Sequence, residues 1–332
     1  MTAPLDVSGT AMEAQPEAVI EGVGAKAIEG RSLGQIAWMR LKRDKVAIGG
    51  AIVVFLLILI AVLAPLIVGL FGHPIDKWNN DLVDPGTGAP LGSFGGISSE
   101  HLLGVEPTTG RDIFSRIVYG AQVSLLIGVL SALVAVLIGT IMGGMAGFFG
   151  GWLDQMISRL MDLLLAFPQL LFAIALVSVV PDKLWGLEGS GVRMGVLIVV
   201  IGLFGWPYIG RIVRGQVITL REREFVDAAR SLGATRMHIL RSEILPNLVA
   251  PILVYTTLII PTNILTEASL SFLGVGVKAP TPSWGQMLSD AISTYQTAPL
   301  FMIIPGTAIF VTVLAFNLFG DGLRDALDPR VR

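Results

Sequence analysis

Six stretches of about twenty predominantly apolar residues recur along the 332-residue chain, at approximately 46–70, 122–148, 153–180, 194–212, 246–265 and 300–318. An α-helix rises about 1.5 Å per residue, so roughly 20 residues cross the roughly 30 Å hydrocarbon core of a bilayer. A soluble fold would have to bury every one of these runs, and the composition argues against that. Only 14% of the residues are charged, against about a quarter in soluble domains. The expected fold is therefore an all-α polytopic membrane protein with six transmembrane helices. The third run is the least regular, because Asp154, Arg159 and Asp162 interrupt its first third and Pro168 predicts a kink.

Charge asymmetry sets the expected orientation. The polar tail, 1–45, ends in Arg40, Lys42, Arg43 and Lys45, and basic residues beside a span are retained in the cytoplasm. The amino terminus is expected inside, and the late, long first apolar run distinguishes the tail from a cleavable leader. Alternation places 71–116 outside, where Asp76, Asp81, Asp84, Glu100, Glu106 and Asp112 face three basic residues. It places 213–245 inside, on a connection that carries Arg211, Arg214, Arg221, Arg223, Arg230, Arg236 and Arg241. The tail 321–332, with Arg324, Arg330 and Arg332, also falls inside and leaves 46–320 as one membrane domain. Residues up to about 30 show neither helical nor strand period and are expected to be largely disordered. No internal repeat at a fixed period is visible.

Within the inner connection, Phe225, Ala229 and Leu232 recur at i, i+4 and i+7 and give a short helix one apolar stripe. Asp227 lies within one turn of Arg223 and Arg230 and can pair with both. Gly233 then ends the helix. A second amphipathic stretch follows, with Met237, Leu240 and Ile244 on one side and Arg236 and Arg241 on the other. Pro246 opens the next apolar run, where its missing N–H is tolerated. Such a hairpin suits a membrane surface and a groove on a soluble partner equally well, with the small Ala228 and Ala229 permitting close approach in the second case.

Motifs for catalysis are sparse. There is no cysteine, which excludes disulfides and thiolate chemistry. His73, His101 and His238 lie far apart in sequence, and no metal site is expected. No glycine-rich loop ends in Gly-Lys-Ser or Gly-Lys-Thr, so the chain is expected to bind no cofactor and hydrolyse no ATP itself. A net charge of −2 argues against nucleic acid as a partner. Gly139, Gly143, Gly147 and Gly151 recur every four residues and mark a close approach of helices. Asp162, Gln169, Asn263, Glu267 and Asn317 would be costly against lipid. They are candidates for a translocation pathway, with structural hydrogen bonding as the competing role, and Glu267 is expected near the outer interface.

The run Asp227-Ala228-Ala229, Gly233 and Leu245-Pro246 resembles the EAA loop of ATP-binding-cassette importer permeases. Asp227 stands where that family usually has Glu, and Glu243 stands where many members have an apolar residue. The segment from His101 to Arg116 resembles the entry to the second span in the dipeptide, oligopeptide and nickel permeases. Gly110, Arg111 and Asp112 match, and Val105-Glu106 replaces the usual Thr-Asp. The stretches Ser269 to Val277, Pro280 to Leu288 and Gly320 to Arg330 are similar to further signatures of the same group. The basic segment before the first span resembles the C-type member of its B/C permease pair. The resemblance implies a type I importer transmembrane domain in a bacterial inner membrane. It also implies a non-catalytic subunit whose coupling helix, carrying Glu224, Phe225, Asp227, Ala228, Ala229, Leu232 and Gly233, seats in an ATPase cleft. The implied partners are a B-type permease subunit, two ATP-binding subunits that hold ATP and Mg, an extracytoplasmic substrate-binding protein and membrane lipid. The implied solutes are dipeptides or oligopeptides, with nickel chelates, glutathione or haem as alternatives. An autonomous secondary transporter is the competing class, and it needs an ion relay in paired halves that these isolated carboxylates do not form.

Overall fold

A computed structural model describes residues 33–179, 183–184 and 187–327, so the tail read as disordered, and with it Arg330 and Arg332, lies outside the described residues. The chain begins with α1 (Leu33–Leu41) and α2 (Lys45–Val62). The Asp44 carboxylate caps α2 by accepting from the N–H groups of Val46 and Ala47. α3 (Ala64–Phe71) continues the first apolar run after a break at Leu63, because Pro65 has no N–H to continue the α2 ladder. A long loop with short 3-10 turns at Asn80–Leu82 and Ser93–Gly95 leads to α4 (Ile113–Phe149), whose 37 residues start on an Asp112 cap.

After α4 come α5 (Gly151–Ala166) and α6 (Gln169–Val179), a small hairpin of β1 (Lys183–Leu184) and β2 (Leu187–Glu188), and α7 (Ser190–Arg221). The hairpin that follows α7 holds α8 (Glu224–Ser231) and α9 (Arg236–His238), which runs through a π-helical stretch, Ile239–Ile244, into α10 (Leu245–Phe272). There the Leu245 N–H donates to the Leu240 carbonyl five residues back, a register shift that accommodates the missing N–H of Pro246. α11 (Trp284–Ala291) and α12 (Pro299–Leu327) complete the chain. Five helices among the described residues are long and apolar enough to cross a membrane, and six spans result if the bent pair α5–α6 counts as one.

The third run departs from a kinked single helix. Its halves meet at 84°, because Pro168 drives Phe167 to an extended ψ of 135° and stops α5 outright. The glycine row acts mainly between α4 and α7. A Cβ at Gly143 would overlap the Gly210 carbonyl oxygen, one at Gly139 would stand 2.8 Å from the Ile209 Cβ, and one at Gly147 2.8 Å from the Arg214 carbonyl oxygen. Gly151 does not belong to the row. It follows Gly150 in a left-handed turn, with φ of 61°, and nothing lies within 4 Å of its missing side chain. A second close approach joins α2 and α12, where Cβ atoms at Gly50 and Gly322 would collide with Ala315 and Ala47. α10 packs between α4 and α12.

Candidate functional site

The hairpin between α7 and α10 opens on the eight-residue α8, whose one fully buried side chain is Val226. Val226 is fully buried, with Ile239 and Ile244 in the same apolar cluster and Ala229 half-buried against it. Phe225, Ala228 and Leu232 face outward, and Leu232 is 88% exposed. Their i, i+3, i+7 spacing makes the outward apolar stripe, so Ala229 belongs to the inward face rather than to the stripe with Phe225 and Leu232. Arg230 donates to the Asp227 carboxylate at 3.0 Å, an exposed pair that contributes less than about 1 kcal/mol. Arg223 serves as the residue before the helix, with its carbonyl accepting from the Val226 N–H. Gly233 closes α8 at φ of 83°, a region open to glycine at little cost. The Thr235 hydroxyl then caps α9 by accepting from the His238 N–H.

Behind this helix lies a cleft of about 530 Å³ lined by Phe148, Phe149, Arg221, Glu222, Arg230, Ala234, Arg236 and Ile239. The Arg221 guanidinium donates to the carbonyls of Gly147 and Phe148 at 3.2 and 3.4 Å. It satisfies carbonyls left free at the end of α4, where a cation is also favoured by the helix dipole. The end of α7, from which the hairpin departs, is thereby tied to the end of the 37-residue α4. Glu243, the departure from the family pattern, is half-buried in the π-helical stretch, and its carbonyl accepts from the Asn247 side chain at 2.6 Å.

The polar residues of the spans divide into two sets. Asn263 and Glu267 lie inside the subunit on the face of α10 that meets α4. Asn263 donates to the Ser131 hydroxyl at 2.9 Å, while the fully buried Glu267 accepts from Ser124 at 3.0 Å and Ser271 at 2.7 Å. Glu267 thus reaches neither water nor headgroups. Asp162, by contrast, is exposed and accepts from Arg211 at 2.5 Å, and two turns earlier Asp154 takes both Nε and a terminal nitrogen of Arg214. These pairs bridge the antiparallel α5 and α7 beside an open cavity of about 570 Å³ lined in part by Trp152, Asp154, Arg159, Asp162 and Arg214. Gln169 is half-buried at the start of α6, and Asn317 is exposed on α12. The sequence reading missed Ser124, Ser131, Asp154, Arg211 and Arg214 as partners. Five polar groups with a shared need for partners inside an apolar region were the available signal.

At the opposite end of the bundle, a buried charge network joins the loop before α4 to α11. Glu106 accepts from Arg111 Nε at 2.6 Å and pairs with Arg116 through its other oxygen. Arg116 is fully buried and also reaches the Pro280 carbonyl at 3.2 Å and the Gln286 amide oxygen at 3.0 Å. Burial raises the Asp290 carboxyl above the usual aspartate range, and Glu106 adds to the rise against the pull of Arg116 and Arg111. The longer arm of Glu106, where the resembled family has Asp, spans two arginines at once.

A bundle of long apolar helices, five among the described residues or six with the bent pair able to cross a membrane, defines a multi-pass membrane protein, and an apolar stripe stands exposed on the hairpin between α7 and α10. Residues 135–332 match the family described as binding-protein-dependent transport system inner membrane component, and residues 32–85 match the N-terminal TM domain of oligopeptide transport permease C. The chain belongs to that family, as a multi-pass permease subunit of an ATP-binding-cassette importer of the peptide, oligopeptide and nickel group. It is 45% identical over 295 residues, 89% of this chain and 90% of the relative, to the glutathione transport system permease protein GsiD of Shigella flexneri serotype 5b (strain 8401). It is 43% identical, with the same coverage, to GsiD of Escherichia coli O6:K15:H31 (strain 536 / UPEC). A solved structure of inward-facing conformations of the MetNI methionine ABC transporter shares the fold, with a TM-score of 0.52 and 19% identity over 65% of this chain and 98% of that one.

Proposed function

We propose that the chain forms the C-type half of a heterodimeric pathway for a short peptide, with both termini in the cytoplasm, and that α8 is its coupling helix. The observation that carries this reading is the outward stripe of Phe225, Ala228 and Leu232 on a helix whose other face is anchored by Val226 and Ala229. Exposed apolar side chains in a row call for a cover, and the small Ala228 lets that cover approach closely. The cover is a cleft on one of two ATP-binding subunits, which hold ATP and Mg. Glu224, Asp227, Ala229 and Gly233 shape the same element. Closure of the ATPases on ATP draws the two coupling helices together and opens the cavity to an extracytoplasmic binding protein, and hydrolysis returns it inward. Glutathione, a small peptide, is the favoured cargo because relatives at 43–45% identity carry its name. The Asp162–Arg211 pair lies beside the open cavity and offers both charges to a zwitterionic solute, which supports a role for it in the pathway wall.

Leu232→Glu and Phe225→Glu test the docking role, since both positions are exposed. Each is expected to alter unfolding stability by no more than about 0.5 kcal/mol. Each should reduce ATP-driven peptide uptake by the assembled transporter roughly tenfold, a coupling loss of about 1.4 kcal/mol. Parental uptake rates with both variants would remove the support for docking at this stripe.

A further inference from the structure

We propose that His73, His101 and Asp112 form a binding site for a divalent transition-metal ion of the zinc type, at the end of the bundle opposite the coupling hairpin. Two of the three histidines of the chain meet here although 28 positions separate them. One nitrogen from each ring and one carboxylate oxygen of Asp112 lie within 4.8 Å of one another. The rings stack with centroids 4.5 Å apart and planes at 30°. Three contributions come from three segments: the end of α3, the loop, and the cap of α4.

The segments are held in place before any ion arrives. Asp112 Oδ1 bonds the His101 Nδ1 at 2.8 Å, and its Oδ2 accepts from both the N–H and the hydroxyl of Ser115. The same Ser115 hydroxyl accepts from the His73 N–H at 2.8 Å. The His73 backbone and the His101 and Asp112 side chains are therefore held by a single cap, while the His73 ring is bound by none of these bonds. One polar atom is left out: His73 Nδ1 is buried and has no hydrogen-bond partner. A buried nitrogen with no partner costs free energy, and a cation is a partner that an imidazole lone pair accepts without a proton.

The donor set selects the ion. Two imidazoles and a carboxylate suit zinc and its first-row neighbours, whereas calcium and magnesium require oxygen ligands. Zinc holds nitrogen and oxygen ligands at about 2.0–2.2 Å, so two ligands on one ion stand about 3.5 Å apart. Side-chain rotation of the half-buried His73 closes the distance, and its partial exposure gives the ion a way in. The His101 Nδ1 and Asp112 Oδ1 already stand 2.8 Å apart, and the ion takes the place of the proton between them.

The test uses the full-length chain purified without a histidine tag and titrated with Zn²⁺ against a chromophoric chelator. The parent and His238→Ala are expected to bind one Zn²⁺ per chain with matching affinity, and His73→Ala to bind roughly tenfold more weakly or worse. Co²⁺ in place of Zn²⁺ should give a visible ligand-field band in the parent that His73→Ala lacks. Because the His73 N–H bond to Ser115 survives the substitution, the variant is expected to fold, and thermal unfolding checks this. His73→Gln, which keeps the side-chain bulk, provides the same comparison. Equal Zn²⁺ affinity in the parent and both His73 variants, or the same Co²⁺ spectrum in all three, overturns the site.

Discussion

Glu106→Ala is expected to destabilise the folded chain by about 3–5 kcal/mol, the range for removing one partner of a buried ion pair. The substitution leaves Arg116 fully buried without its direct counter-charge, with only the Asp290 carboxyl, which burial makes harder to ionise, nearby, and Arg111 without its 2.6 Å contact. Gln286 and the Pro280 carbonyl remain as partners of Arg116, but neither carries a charge. The loss is chiefly the cost of an isolated buried cation rather than the worth of the pair. Adding Arg116→Met should accordingly recover part of it, because apolar replacement of both partners is far less costly than removal of one. Thermal unfolding of the purified chain in detergent measures both. Equal stability of Glu106→Ala and the parent would mean that the charge network does not hold the loop before α4 to α11.

Gly143→Val is expected to cost about 3 kcal/mol, at the upper end of what overpacking does in a well-filled interior. The new side chain would meet the Gly210 backbone itself, and two helix backbones cannot yield as a flexible side chain can. α4 and α7 must separate, losing the dispersion contacts that hold helices together where lipid supplies no hydrophobic drive. The adjacent Gly144 is the internal control, because nothing lies within 4 Å of its missing side chain. Gly144→Ala should leave stability unchanged or raise it by a few tenths of a kcal/mol through helix propensity. Resistance to denaturation of the two variants, measured side by side, separates close packing from a general intolerance of change in α4.

Much of the bundle was readable because lipid imposes long apolar runs, and a run of twenty residues is a local property. What failed to read was non-local. Asp154 and Asp162 looked like interruptions of the third span, yet they are paired with Arg211 and Arg214 from a helix about 50–60 positions later. Pro168 was legible as a disturbance, but whether a proline bends a helix or stops it depends on the packing around it. The glycine row was legible as a close contact, and its partner α7 was not, since small residues state a distance and not a neighbour. Gly151 kept the period by coincidence across a turn. In the hairpin after α7, which of Val226, Ala228 and Ala229 face inward depended on which face the rest of the bundle covers. His73 and His101 meet only through the fold of the loop between α3 and α4.

On the function proposed above, this subunit moves solute only when force is delivered at α8, and reconstitution decides whether it does. Proteoliposomes holding the complete transporter, binding protein and internal ATP and Mg should accumulate labelled peptide against its gradient, and vesicles holding this chain without ATPase subunits should accumulate none. Concentrative uptake by the chain without its ATPases would contradict the account.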